Sequence, residues 1–140
     1  MTRPFAIPVR VYYQDTDAGG VVFHAQYLAF MERARTELLN DAGIDLARLA
    51  AETGAIFFVH EIRVKYHRPA LLNELLMVSA EVVKMGRASF VFRQRVDRAG
   101  ELLVEADVSV ATVHRESLKP VRMPQVLTDT FMPDAGAGDA

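Results

Sequence analysis

Val11-Tyr12-Tyr13-Gln14-Asp15-Thr16-Asp17-Ala18-Gly19-Gly20-Val21-Val22-Phe23-His24-Ala25-Gln26-Tyr27-Leu28-Ala29-Phe30-Met31-Glu32-Arg33-Ala34-Arg35-Thr36-Glu37 is the stretch on which the fold turns. It leaves a run rich in Val, Ile and Tyr, Phe5 to Tyr13, which reads as a strand with Pro8 marking an edge or a bend. Gln14 to Gly20 then crowds two carboxylates and two glycines together, the composition of a turn. From about Phe23 to Asn40 the period changes. Tyr27, Phe30, Met31, Ala34 and Leu38 recur at i, i+3, i+4, i+7 and i+11, one face of a helix. Gly43 follows as a C-terminal cap.

Beyond this helix the chain shortens its period. Asp45 to Glu52 reads as a second short helix closed by Thr53-Gly54. Then Phe58, Ile62, Val64 and Tyr66 share one strand face against Glu61, Arg63 and Lys65, up to Pro69. Leu76, Val78, Ala80 and Val82 make the next strand, and Met85-Gly86-Arg87 a tight turn. Phe90, Phe92 and Val96 oppose Arg93 and Arg95. After Arg98-Ala99-Gly100, Val104, Ala106, Val108 and Val110 alternate with Glu105, Asp107 and Ser109. One helix must therefore cover an antiparallel sheet of five to six strands, an α+β arrangement in which a twisted, curved sheet wraps around one long helix. Residues 1–134 read as a single domain, and Ala135 to Ala140 as a disordered tail.

Composition excludes several functions. With 140 residues and 51% apolar content the chain can bury a core without staples. A net charge of −2, with both signs interleaved, gives no basic footprint for nucleic acid. The absence of cysteine removes disulfides, thiol nucleophiles and thiolate metal sites. No run approaches the roughly 20 apolar residues that span a bilayer, and no secretory leader is visible. A cytoplasmic protein, not membrane-spanning, is the expectation.

The turn before the long helix is the best candidate site. Gly19 and Gly20 let a ligand approach the backbone. The helix behind them offers unpaired N–H groups and a positive dipole end that can hold an oxyanion. Asp17 stands beside this helix mouth. A carboxylate with a donor pair is the minimum for acyl transfer. The residues equally fit a plainer reading, in which Asp15 and Asp17 are turn and capping groups and the glycines serve geometry.

The Asp-x-Asp-x-x-Gly-Val-Val core followed by Glu-Arg-Ala-Arg resembles the signature of the 4-hydroxybenzoyl-CoA thioesterase family. The likeness continues through Tyr66-His67-Arg68-Pro69-Ala70 and Phe90-Val91-Phe92-Arg93-Gln94-Arg95, to about Pro124. Within the family, His24 at the helix start leans toward the Tol-Pal-associated acyl-CoA thioesterases. The resemblance implies a hotdog fold and hydrolysis of an acyl-CoA without a cofactor or metal. It assigns the catalytic carboxylate to Asp17 and associates Tyr13 and His24 with the site. An acyl-CoA hydratase or dehydratase, or a non-catalytic acyl-CoA or acyl-carrier-protein binding module, is the alternative on the same fold. Proteins of this kind form homodimers by edge pairing, commonly joined as homotetramers, with the site between subunits. The strand from Val104 to Val113 is the expected edge.

Asp17 can attack the thioester carbonyl or activate a water. The CoA phosphates need cations, with Arg87 first and Lys65, Arg68, Arg93, Lys119 and Arg122 behind it. His60-Glu61-Ile62-Arg63-Val64 begins like a zinc-protease motif but lacks the second histidine. There is also no Gly-x-Ser-x-Gly elbow, and no metal is expected.

Overall fold

The period change after Gly20 is where strand gives way to helix. The computed structural model describes residues 4–131, so the tail expected at 135–140 and the domain end expected at 134 lie outside the described residues. Strand β1, Phe5–Arg10, stops earlier than its composition suggests. Val11 still pairs with the 73–74 segment, but Tyr13–Asp15 turn as a short 3-10 helix. Helix α1 runs Gln26–Asp41 and α2 Leu46–Thr53. The Asp45 carboxylate accepts from the Arg48 N–H as the α2 N-cap, as its sequence position suggests. The strands β2 Ala55–Tyr66, β3 Leu75–Met85, β4 Ser89–Arg98 and β5 Glu101–His114 follow.

All neighbours pair antiparallel in the order β1-β3-β4-β5-β2, five strands in one sheet. Pro8 indeed lies on an edge strand. The other edge is β2, not the Val104–Val113 strand, because β5 is paired on both sides by β4 and β2. Strand length alone does not report position in a sheet. β2 also departs from the simple alternation of its sequence. Its register with β5 shifts between Val59 and Glu61, a bulge at His60. The extra residue inverts parity, so Phe57 and Val59 share the face of Ile62 and Val64, and Phe58 points to the other side.

The helix α1 buries Tyr27, Phe30, Met31 and Ala34 as its period predicts, with Leu39 in place of Leu38, which is only partly covered. It lies against β1, β3 and β4, while α2 lies against β2. From the sheet side Phe90, Phe92, Val96, Val104, Ala106, Val108 and Val110 complete the core. A third helix, α3 at Gln125–Phe131, went unread in the sequence. It is short, and its only early signal is Pro124 immediately before it. Leu127 and Met123 bury fully or nearly so and seal the core. No helix among the described residues is long and apolar enough to cross a membrane.

Phe30 is 1% exposed at the centre of the α1 face. Phe30→Ala is expected to lower unfolding free energy by about 3–5 kcal/mol in urea titration. A loss under about 1 kcal/mol would show that α1 does not carry the core.

Candidate active site

Two carboxylates two residues apart have opposite fates. Asp15 is buried, and its Oδ2 accepts from the Tyr12 N–H at 2.8 Å while Oδ1 accepts from Gln26 Nε2 at 3.0 Å. It thereby ties the 3-10 turn to the first residue of α1. Asp17 is exposed and sits in a turn of its own: its N–H donates to Val21 O at 2.9 Å and its carbonyl accepts from Gly20 N at 3.1 Å. Its Oδ1 accepts from Gly19 N at 2.8 Å, and its Oδ2 has no partner among the described residues. A Cβ on Gly19 would lie 3.3 Å from this Oδ1 and crowd it, and Gly20 holds φ +83°, which strains any other residue, so the two glycines suit the carboxylate's fold over the turn. The plainer reading thus holds for Asp15 and for the turn that Asp17 and the glycines form, while Asp17 keeps one oxygen open to solvent or ligand.

The helix mouth sits close behind. The first helical residue is Gln26 rather than a residue near His24, and no side chain caps it. His24 lies in the preceding turn. Among the described residues the N–H groups of His24 and Ala25 find no backbone acceptor, which leaves two donors at the positive end of α1. The His24 carbonyl accepts from the Tyr66 hydroxyl at 2.9 Å, and its exposed ring packs beside Phe23 and edge-on to Tyr66. Tyr27 braces the turn from beneath, its hydroxyl accepting from Ala70 N at 2.8 Å. Burial raises the Tyr27 phenol above its ordinary value, so it stays a neutral hydroxyl.

The structure therefore brings Asp17, Gly19, Gly20 and His24 onto one loop at the start of α1. Tyr13 is on the same loop but is 82% exposed, and only its carbonyl, which accepts from Thr16, ties it in. Tyr66 is the addition that the sequence reading missed, although it lies in a stretch already singled out. Arg87 is not here. The Asp17 turn lies at the Leu75 end of β3, where Val11 bonds Glu74 and Val21 bridges to Leu71. Arg87 follows the far end. With 11 residues in β3, and about 3.3 Å per residue, the two ends are roughly 35 Å apart. Arg87 belongs instead to the end of β2 at Ala55, since Thr112 both bonds Ala88 O and pairs with Phe57.

At that same end a cleft of about 210 Å³ opens between α1, α2 and the sheet. Its lining includes Glu32, Arg35, Leu46, Phe57, Val59 and Phe92. Arg35 is buried on the apolar face of α1 and donates to Gln94 Oε1 at 2.9 Å. Gln94 is itself buried and donates to the carbonyls of Met31 and Ser79. Burial lowers the Arg35 guanidinium from its ordinary value, with Glu32 opposing the shift.

The curved antiparallel sheet around α1 is the hotdog arrangement, and the chain belongs to the thioesterase superfamily, whose family profile matches residues 19–105. The acyl-CoA thioester hydrolase YbgC of Escherichia coli O6:H1 is 45% identical over 131 residues, spanning 93% of this chain and 97% of that protein. The acyl-CoA thioesterase YbgC of Haemophilus influenzae is 44% identical over 127 residues, 91% of this chain and 93% of its own. The fold also matches the crystal structure of Slr0204, a 1,4-dihydroxy-2-naphthoyl-CoA thioesterase from Synechocystis, with TM-score 0.85 at 20% identity over 92% of this chain and 96% of that one.

The two carboxylates separate in a stability measurement. Asp15→Ala strands the Tyr12 N–H and Gln26 amide and is expected to cost about 1–3 kcal/mol. Asp17→Ala loses one exposed contact and is expected to cost under about 1 kcal/mol. Equal losses in urea titration would refute the assignment of Asp15 to structure and Asp17 to the ligand side.

Proposed function

We propose that the protein hydrolyses acyl-CoA thioesters with the Asp17 carboxylate, in a site completed by a second copy of the chain. The observation that carries this is one loop, pinned by the Phe23 N–H to Asp15 carbonyl bond and the Thr16–Val22 bridge, that bears both the free Asp17 oxygen and two unpaired N–H donors at the start of α1. Acyl-CoA hydrolysis is the named activity of relatives matched over nearly the whole chain, which favours it over a hydratase, a dehydratase or a binding module. In this reading the His24 and Ala25 N–H groups hold the developing oxyanion. Asp17 either attacks the carbonyl carbon, expelling CoA as thiolate and leaving an acyl anhydride that water cleaves to the free acid and the restored carboxylate, or draws a proton from a water that attacks the carbonyl and expels the thiolate directly. His24 offers its ring to the leaving sulfur or water, and Tyr66 fixes the loop through the His24 carbonyl. Tyr13 stands at the rim.

Self-association supplies what one chain lacks. β2 is a 12-residue edge strand with Val59, Ile62 and Tyr66 partly exposed, the kind of edge that pairs. Two copies joined there antiparallel around a two-fold axis set the Tyr66 end of one strand against the Ala55 end of the other. His24 and Asp17 of one subunit then lie toward the end of the partner's sheet that carries Arg87, two strands in from the edge, where its guanidinium suits a phosphate of CoA laid across the interface. Dimers joined as tetramers, an acyl carrier protein as a second thioester donor, a cytoplasmic location and a Tol-Pal connection belong to the same proposal. Balanced charge and the absence of cysteine are compatible with them.

Asp17→Asn is expected to cut kcat roughly a thousandfold or more with the fold intact, and Arg87→Glu to raise KM. Mixed and re-equilibrated, the two variants form heterodimers with one intact site, so activity at substrate concentrations far below the raised KM of Arg87→Glu is expected to return to roughly a quarter of wild type. Near wild-type turnover by Asp17→Asn alone would refute the carboxylate. No recovery on mixing would refute the shared site.

A further inference from the structure

Arg35 is a cation on the wrong face of a helix. It follows Met31 by four residues, projects with Tyr27, Phe30 and Ala34 toward the sheet, and is 9% exposed. Its guanidinium lies over the Phe92 ring at 5.9 Å. One nitrogen donates to Gln94 Oε1, and among the described residues no carboxylate forms an ion pair with it. Such an arrangement is costly unless something compensates the charge. No buried side-chain nitrogen among the described residues is left without a partner, so the remaining guanidinium nitrogens, which have no protein acceptor, reach open space. That space is the 210 Å³ cleft, otherwise lined mainly by Leu39, Leu46, Phe57, Phe90 and Val110. It far exceeds the roughly 15 Å³ that admits a single water. Gln94 fixes the guanidinium because its own amide is held by two backbone carbonyls.

We infer that this cleft receives the acyl group and that Arg35 selects acyl chains bearing an oxygen acceptor at the end remote from the thioester, a carboxylate or a hydroxyl. The position follows from the shared site proposed above, on which the inference rests. The cleft opens at the Phe57–Val59 end of β2, the end that antiparallel pairing sets beside the partner's His24 and Asp17. The apolar walls take the methylenes, and the guanidinium meets the terminal oxygen. Glu32, exposed at the rim, balances the field without occupying the fork. A guanidinium offers paired donors to a carboxylate and single donors to a hydroxyl, so both chemistries are served by one group.

The experiment compares kcat/KM for succinyl-CoA, 4-hydroxybutyryl-CoA and butyryl-CoA in the wild type and in Arg35→Met. Wild type is expected to hydrolyse the two oxygen-ended substrates at least as efficiently as butyryl-CoA. Arg35→Met is expected to lower the succinyl-to-butyryl and hydroxybutyryl-to-butyryl ratios at least about tenfold. An equal loss for all three substrates would mean that Arg35 is structural or holds the CoA moiety, and would overturn the inference. So would a wild type that turns over only butyryl-CoA. If Arg35→Met does not fold, Arg35→Lys decides. Its point charge lacks the fork, so the same ratios are expected to drop at least about threefold, and wild-type ratios would overturn the proposal. Sedimentation of the same samples separates the two readings. A dimer whose ratios do not move refutes Arg35 selection alone, whereas a monomer refutes the shared site and with it the placement of the cleft beside Asp17.

Discussion

One helix of 16 residues has to cover a five-stranded sheet, and it does not reach all of it. α1 packs on β1, β3 and β4, and the shorter α2 reaches β2. Everything that distinguishes the molecule lies where this cover thins. The β2 edge keeps apolar side chains in solvent, the cleft beside Arg35 stays open, and the His60 bulge bends the strand there. At its other end the same helix starts without a side-chain cap, so its first N–H groups remain available to a ligand. A fully covered sheet and a capped helix would be more stable and would have no place for a thioester.

The division of labour in the turn follows from burial. Asp15 spends both oxygens on the scaffold, which fixes the path of the loop into α1. Asp17 spends one on Gly19 and keeps the other. Its orientation is thus set by the turn itself, which is what the proposed catalytic role asks of a carboxylate that gains from position rather than from basicity alone. Arg87, the first cation the sequence offers for CoA, cannot reach the turn of its own chain, because β3 carries it to the far end, although Lys65 and Arg68 stay at the Tyr66 end beside His24. Direction of chain, more than any side-chain contact, argues for a site with two owners.

Much of this was legible in the sequence because it depends on short-range period and on local chemistry. The strand-turn-helix of residues 11–37, the cap at Asp45 and the alternation of β4 and β5 are each decided within a few residues. The misreadings are long-range. Which strand forms an edge depends on pairing partners distant in sequence, so β5 looked like an edge and is interior. The His60 bulge leaves no mark in composition, yet it turns Phe58 outward. Arg35 and Gln94 both stand at positions that the periods of α1 and β4 assign to the core; their polar type concealed them. α3 has too few residues for a period to show. The roles of Asp17, Tyr13 and His24 came from family resemblance, and the geometry of Asp17 and His24 suits that role while giving Tyr13 only a backbone attachment.

The central claim is that a free Asp17 carboxylate becomes a complete site only across two subunits. Specific activity toward an acyl-CoA, measured over a dilution series with sedimentation velocity at the same concentrations, tests it most directly. The account predicts that specific activity falls in proportion to the dimer fraction and returns on concentration. A folded monomer population hydrolysing acyl-CoA at the full specific activity would contradict it.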